Sequence, residues 1–244
     1  MDQSQLSRLT AAVKAAVASL NILCSKYHIV LDQTTLVKLT AVTDPQDPWT
    51  TAQAAAAASK LLAEQLECES LTEFITNTVL QKYLKPLFMK SSSRITASGR
   101  PSQYAMIDDR SRPVIEVQPW RTQAPWAEAT IQWTVNMSTA SLIQQHWPLF
   151  LPVLLALVEN ESTKTKARGL RTTREFMSKC PAQVLQNTGI GHVFAGVTFP
   201  LLLYLPSVTP EDESTTILIP AYDAISMLLS TLALSKFCCR RQQQ

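Results

Sequence analysis

HWPLFLPVLLALVENESTKTKARGL, residues His146–Leu170, runs from an apolar segment through a polar break into a basic one. Phe150, Leu151, Leu154, Leu155 and Val158 recur at three- and four-residue spacing, the apolar face of a helix. Pro148 and Pro152 are expected in the opening turns of a helix over Trp147–Val158, where a missing N–H costs little. Glu159-Asn160-Glu161-Ser162 breaks it, and Ser162 or Thr163 can cap the next helix. That second helix turns Ala167, Leu170, Phe176 and Met177 toward a core and carries Lys164, Lys166, Arg168, Arg171, Arg174 and Lys179.

The arrangement repeats downstream. A helix is expected over Gly191–Leu205, with Val193, Phe194, Val197, Leu201, Leu202 and Leu205 as its stripe, and Pro200 should kink or divide it. Pro206 and Pro210 bracket a turn. Glu211, Asp212 and Glu213 then fall in the first turn of another helix, where the macrodipole favours negative charge. Its buried side is expected to be Ile217, Ile219, Ala221, Ile225, Leu228, Leu229 and Leu232. A proline early in one helix, an acidic turn and a basic start to the next is an order that resembles HEAT repeats. The fold expected is all-α: a HEAT-like or armadillo-like α-solenoid of helix pairs, each burying its stripe on the next.

Working outward, residues 1–84 read as an N-terminal helical region, 85–125 as a basic loop and 126–244 as the repeat region. In the first, Leu6, Leu9, Val13, Val17 and Leu20 form a stripe over Gln3–Tyr27, and helices follow at Thr34–Val42, Ala52–Glu67 and Ser70–Leu84. The run Ala54–Ala58 favours helix intrinsically. Between Lys85 and Arg121 seven Lys and Arg face three acids, and Ser91–Ser93, Gly99, Pro101, Pro113 and Pro119 break any element. Such a segment is either a solvated linker or a partner-binding element using Lys90, Arg94, Arg100 and Arg110.

Composition excludes several classes. Of 244 residues 46% are hydrophobic and only 5 are glycine, which fits a helical protein with a sizeable core better than a β-rich or phosphate-cradling one. A net charge of +3 is too mild to demand nucleic acid. The five cysteines (Cys24, Cys68, Cys180, Cys238 and Cys239) are odd in number and lack C-x-x-C, so free thiols in the cytoplasm or nucleus are expected. His28, His146 and His192 have no ligand at helical spacing, and no hydrolase, metalloprotease or phosphate-loop pattern occurs. No catalytic, cofactor or metal residue is therefore assigned, and no cofactor is expected. Val193–Leu205 and Ile217–Leu234 are apolar, but the first holds Pro200 and the second Pro220 and Asp223; buried solenoid helices account for both better than membrane spans. Trp133 and Trp147 read as core and Trp120 stays open between core and partner contact.

A family resemblance rests on six blocks in order. LKPLFMKS with ITASGR brings Lys85, Pro86, Phe88, Lys90, Gly99 and Arg100; WAEATIQW brings Trp133; HWPLFLPVLLALVEN brings His146, Trp147 and Pro152. KARGL brings Gly169, TGIGHVF brings Gly189, and YLPSVTPEDES brings Leu205, Pro206, Thr209, Pro210 and Glu211. From about Lys85 to Met227 the chain resembles the TELO-two-interacting protein two (Tti-two) family, the HEAT-like subunit of the TTT cochaperone complex. It departs from the pattern where Glu159-Asn160 replaces an expected pair of aspartates, and its C-terminal end looks short.

The resemblance implies a non-enzymatic scaffold. It would bind the large HEAT-repeat subunit of TTT and, through it, TELO-two. It would act with heat-shock chaperone machinery in maturing phosphatidylinositol 3-kinase-related kinases, hence in telomere maintenance and the DNA damage response. Candidate partner contacts are Lys164, Lys166, Arg168, Arg171, Arg174, Glu211 and Glu213, against the plainer reading of a solvated face. A generic HEAT adaptor without kinase clients and a weak nucleic-acid binder using the basic loop remain alternatives. An exposed apolar face, or further helices in a longer natural chain, is expected after Leu232-Ala233-Leu234.

Overall fold

Every regular element among the described residues is a helix. The computed structural model describes residues 2–66, 68–88, 120 and 124–241, with side chains for all of these except 68, 69 and 234–241. The loop candidates Lys90, Arg94, Gly99, Arg100 and Arg110 lie outside the described residues.

The helices fall into two compact units, and the sequence does not divide at a single point between them. The first takes in Met1–Lys82 and Trp126–Met137; the second takes in Tyr83–Pro125 and Ser138–Gln244. The 126–137 segment, grouped with the C-terminal repeats on sequence, thus clusters with the N-terminal helices.

In the first unit α1 (Gln3–Tyr27) packs on α3 (Ala52–Gln65), and α2 (Gln33–Thr40) packs on both α3 and α6 (Ala127–Met137). Asp32 caps α2 by accepting from the Thr34 N–H at 3.1 Å, and Thr51 caps α3. Hydrogen bonds from Thr35 and Thr34 hold the Asp32 carboxyl below its ordinary range. Thr40 donates to Thr130 at 3.0 Å inside the α2–α6 contact, and Gln132 donates to Asp44 at 3.0 Å. Only Val17 and Cys24 of α1 are buried; Leu9 of the expected stripe stays 41% exposed.

The helix expected over Ser70–Leu84 is not one α-helix. It is α4 (Cys68–Glu73) followed by a π-helix over Phe74–Leu84 and then α5 (Lys85–Phe88). The wider turn buries Phe74, Ile75, Val79, Leu80 and Leu84 together, and the Phe74 ring meets Trp133 edge-on at 6.3 Å.

The second unit is organised about α8 (Thr163–Lys179), which packs on α7 (Ala140–Val158) and on α11 (Glu211–Arg241). Of the two capping candidates, Ser162 is the one that caps α8, its hydroxyl accepting from the Thr165 N–H at 3.4 Å. Asn160, 1% exposed, accepts from the Ser162 N–H at 2.9 Å and so forms the turn itself. A neutral amide serves this role as well as an aspartate. The ring triad Phe150–Phe176–Phe194 links α7, α8 and α10 (Ile190–Thr198) at 5.5 and 5.9 Å.

Three expectations are corrected in this unit. The first helix of the pair begins at Ala140, capped by Thr139, so Pro148 and Pro152 are interior rather than early. Complete burial of Leu151–Leu157 offsets the roughly 3 kcal/mol that an interior proline costs. The helix expected over Gly191–Leu205 is α10 followed by a 3₁₀ helix (Phe199–Leu203), the division falling next to Pro200 as its missing N–H requires. A short α9 (Ala182–Asn187) precedes it, and Gly189, with φ of 78°, makes the left-handed turn between them. Finally, Ile219 and Leu229 are 60% and 57% exposed, not buried with Ile217, Ala221, Ile225 and Leu228. Trp120, left open on sequence, is 2% exposed and packs on Phe88 at 5.2 Å; Trp133 and Trp147 are buried.

Among the described residues three helices, Gln3–Tyr27, Ala140–Val158 and Glu211–Ala233, are long and apolar enough to cross a bilayer by length and composition; only 33% of the last window is buried, less than the buried helix expected there. Most of the Ala140–Val158 window is buried within the protein.

Gly169 is where α8 meets α7 most closely. A Cβ there would lie 2.7 Å from Leu157 Cβ, 2.8 Å from Leu157 C and 2.9 Å from Val158 N. Elsewhere in a helix interior Gly→Ala stabilises by up to about 1 kcal/mol. Here Gly169→Ala is expected to destabilise by about 2 kcal/mol through overpacking against backbone that cannot yield, measured as a lowered urea midpoint.

Candidate partner-binding surface

The exposed half of α8 is where the candidate contacts converge, and they do not all face the same way. Lys164, Arg171 and Arg174 are exposed and Arg168 is half-buried. At 100° per residue these four fall within about 120° of arc, opposite Phe176 and Met177, with Ala167 and Leu170 close to Arg174 at one margin. Lys164, Arg171 and Arg174 have no ion-pair partner among the described residues; Lys179 pairs with Glu175 at 3.5 Å.

Lys166 does not belong to that face. It is 8% exposed, donates to the Tyr204 hydroxyl at 2.9 Å and stands 5.0 Å from the centre of the Tyr204 ring. Helical spacing alone separates it from Lys164, since two residues along a helix is 200° around it, on the side of Leu170 and Met177. Its role is to tie the segment after the 3₁₀ helix to α8.

Glu211 and Glu213 are exposed in the first turn of α11, with Asp212 between them. Thr163 donates to Glu213 at 3.5 Å, so the acidic start of α11 lies beside the basic start of α8. Thr209 and Pro210 lead into that turn: the Pro210 carbonyl accepts from the Ser214 N–H at 2.9 Å and the Thr209 carbonyl from the Ser214 hydroxyl at 3.4 Å. His146 is half-buried within α7 and Pro206 exposed in the turn.

Sequence reasoning missed an apolar row on α11. Ile219, Tyr222 and Leu229 are 60%, 55% and 57% exposed and share one face with Thr215, Ser226 and Ala233. The signal was present, since apolar residues on α11 occupy more of the helix circumference than one neighbour can cover.

Among the described residues no three of His, Cys, Asp and Glu gather to hold a metal. Burial pushes the Cys180 thiol up to about 12 and also raises Cys24. A thiol so shifted supplies almost no thiolate near neutrality.

Two measurements follow from these placements. Lys166→Ala is expected to lose about 1.5–3 kcal/mol of stability, whereas Lys164→Ala stays within about 0.5 kcal/mol of the parent, by chemical denaturation. Cys180 should resist alkylation by iodoacetamide at pH 8 in the folded chain and react once urea unfolds it, as read by mass spectrometry; native-state labelling would contradict its burial.

No solved structure matches this chain. A family model, described as the Tti2 family, matches residues 35–242, from within α2 through the whole of α11. The match covers the blocks that carried the resemblance and most of the chain besides: the chain belongs to the Tti2 family.

Proposed function

We propose that this chain is a non-enzymatic scaffold subunit of the TTT complex, supporting chaperone-dependent folding and assembly of phosphatidylinositol 3-kinase-related kinases. Family membership over residues 35–242 is the observation that carries this reading. Tti2 membership supports a TTT subunit role in general; the kinase clients, the large HEAT-repeat subunit and TELO-two as direct or indirect partners, and a cytoplasmic and nuclear location are the finer parts of the proposal.

The physical basis is presentation of surface. The helix pairs α7–α8 and α10–α11 are read as HEAT-like units whose stacking holds partner contacts in fixed register. The row Ile219, Tyr222 and Leu229 is the subunit contact, because exposed apolar side chains in a row on a helix are stabilised by covering them. Glu211 and Glu213, on the same helix, add polar contacts. We read the apolar helices as facing protein rather than lipid, in keeping with the burial of α7.

The test is affinity purification of the tagged chain from cell extract, followed by mass spectrometry. Both large TTT subunits should be recovered in comparable amounts. Ile219→Asp with Leu229→Asp should reduce that recovery at least about tenfold while leaving the melting temperature within a few degrees, because both positions are exposed. Parent bait that recovers neither subunit would refute the TTT reading, and an unaffected double variant would refute the α11 contact.

A further inference from the structure

The helix α8 carries six Lys and Arg against one Glu, in a chain whose whole net charge is +3. The rest of the molecule is therefore slightly acidic, and positive charge is concentrated on this helix. One of the six cations, Lys166, is spent inside on Tyr204, and Lys179 pairs with Glu175. Lys164, Arg171 and Arg174 remain exposed without ion-pair partners among the described residues.

We propose that the exposed face of α8 formed by Lys164, Arg171 and Arg174 is a docking strip for an acidic segment of a partner protein. The spacing of seven and three residues places these cations along one side of the helix, over about 15 Å of axis at 1.5 Å per residue. A helical segment with carboxylates three, four and seven residues apart presents a matching row. The strip is rigid. Its backbone is seated against α7 at Gly169 and against α11 on another side, so the cations are positioned before a partner arrives.

The neighbourhood favours a protein over a nucleic acid. Glu161 is exposed just ahead of the helix, Glu175 lies within its outer half, and Glu213 adjoins Thr163 at its start. A continuous phosphate backbone would run into these carboxylates. A partner segment can place neutral or basic residues opposite them.

The inference goes beyond the TTT reading and does not require it. The experiment uses the full chain and a fluorescein-labelled helical peptide with glutamate at every fourth position, followed by anisotropy. The peptide should bind at about 50 mM salt and weaken markedly by about 300 mM, as screening demands. The same peptide with glutamine in place of glutamate should not bind. Arg171→Glu with Arg174→Glu should weaken binding at least about tenfold with an unchanged melting temperature, since like charges then face one another. Failure of the peptide to bind, equal binding by the double variant, or tighter binding of single-stranded DNA than of the peptide would each overturn the proposal. Loss of peptide binding leaves recovery of the TTT subunits untouched, so the two readings fail separately.

Discussion

At Gly169 the backbone of one helix rests on the backbone of another. No side chain separates α8 from Leu157 and Val158 of α7, and the rest of the second unit is arranged around that approach. With the two axes this close, Phe176 reaches both Phe150 and Phe194, and three helices share one aromatic contact. The same approach fixes the rotation of α8. Leu170, Phe176 and Met177 must point inward, and Lys164, Arg171 and Arg174 must then point out. The charge pattern on the surface is thus a consequence of a missing Cβ in the core.

The unit spends its polar groups economically. Ser162 and Asn160 each satisfy a backbone N–H at the α7–α8 turn. Lys166, the one buried cation among the described residues, is satisfied by a phenol. Among the described residues the Thr173 hydroxyl and the Trp120 indole N–H are buried without a hydrogen-bond partner, while a cationic face on α8 and an apolar row on α11 lie exposed.

The all-helical class and most element positions were legible in the sequence. The first helix was read from Gln3 to about Tyr27, and the cap at Ser162 or Thr163 and the acidic opening of α11 were read from capping and dipole chemistry. Where the reading failed, tertiary packing had overridden local signals. Two prolines that mark a helix start in isolation sit mid-helix in α7 because burial on every side outweighs their cost. The π-turns of Phe74–Leu84 keep bulky residues on one buried face at a period that an α-helical template does not test. For the surface, helical spacing sets Lys166 apart from Lys164, but grouping the cations by charge overlooked this, and the phenol that claims Lys166 lies 38 residues away, beyond the reach of local pattern.

The first unit is assembled from two separated pieces of chain. Helix α6 packs on α2 and brings Thr130 to Thr40 and Trp133 to Phe74, yet it lies beyond residue 125. During synthesis the N-terminal helices therefore emerge with one side of their core unfilled. At ribosomal rates of 5–20 residues per second, the interval from Lys82 to Met137 lasts about 3–10 s. For that time Leu36, Val37 and Phe74 have no sixth helix to cover them. Until α6 emerges, that apolar surface has only water against it, which makes this interval the one in which the N-terminal helices are most prone to associate.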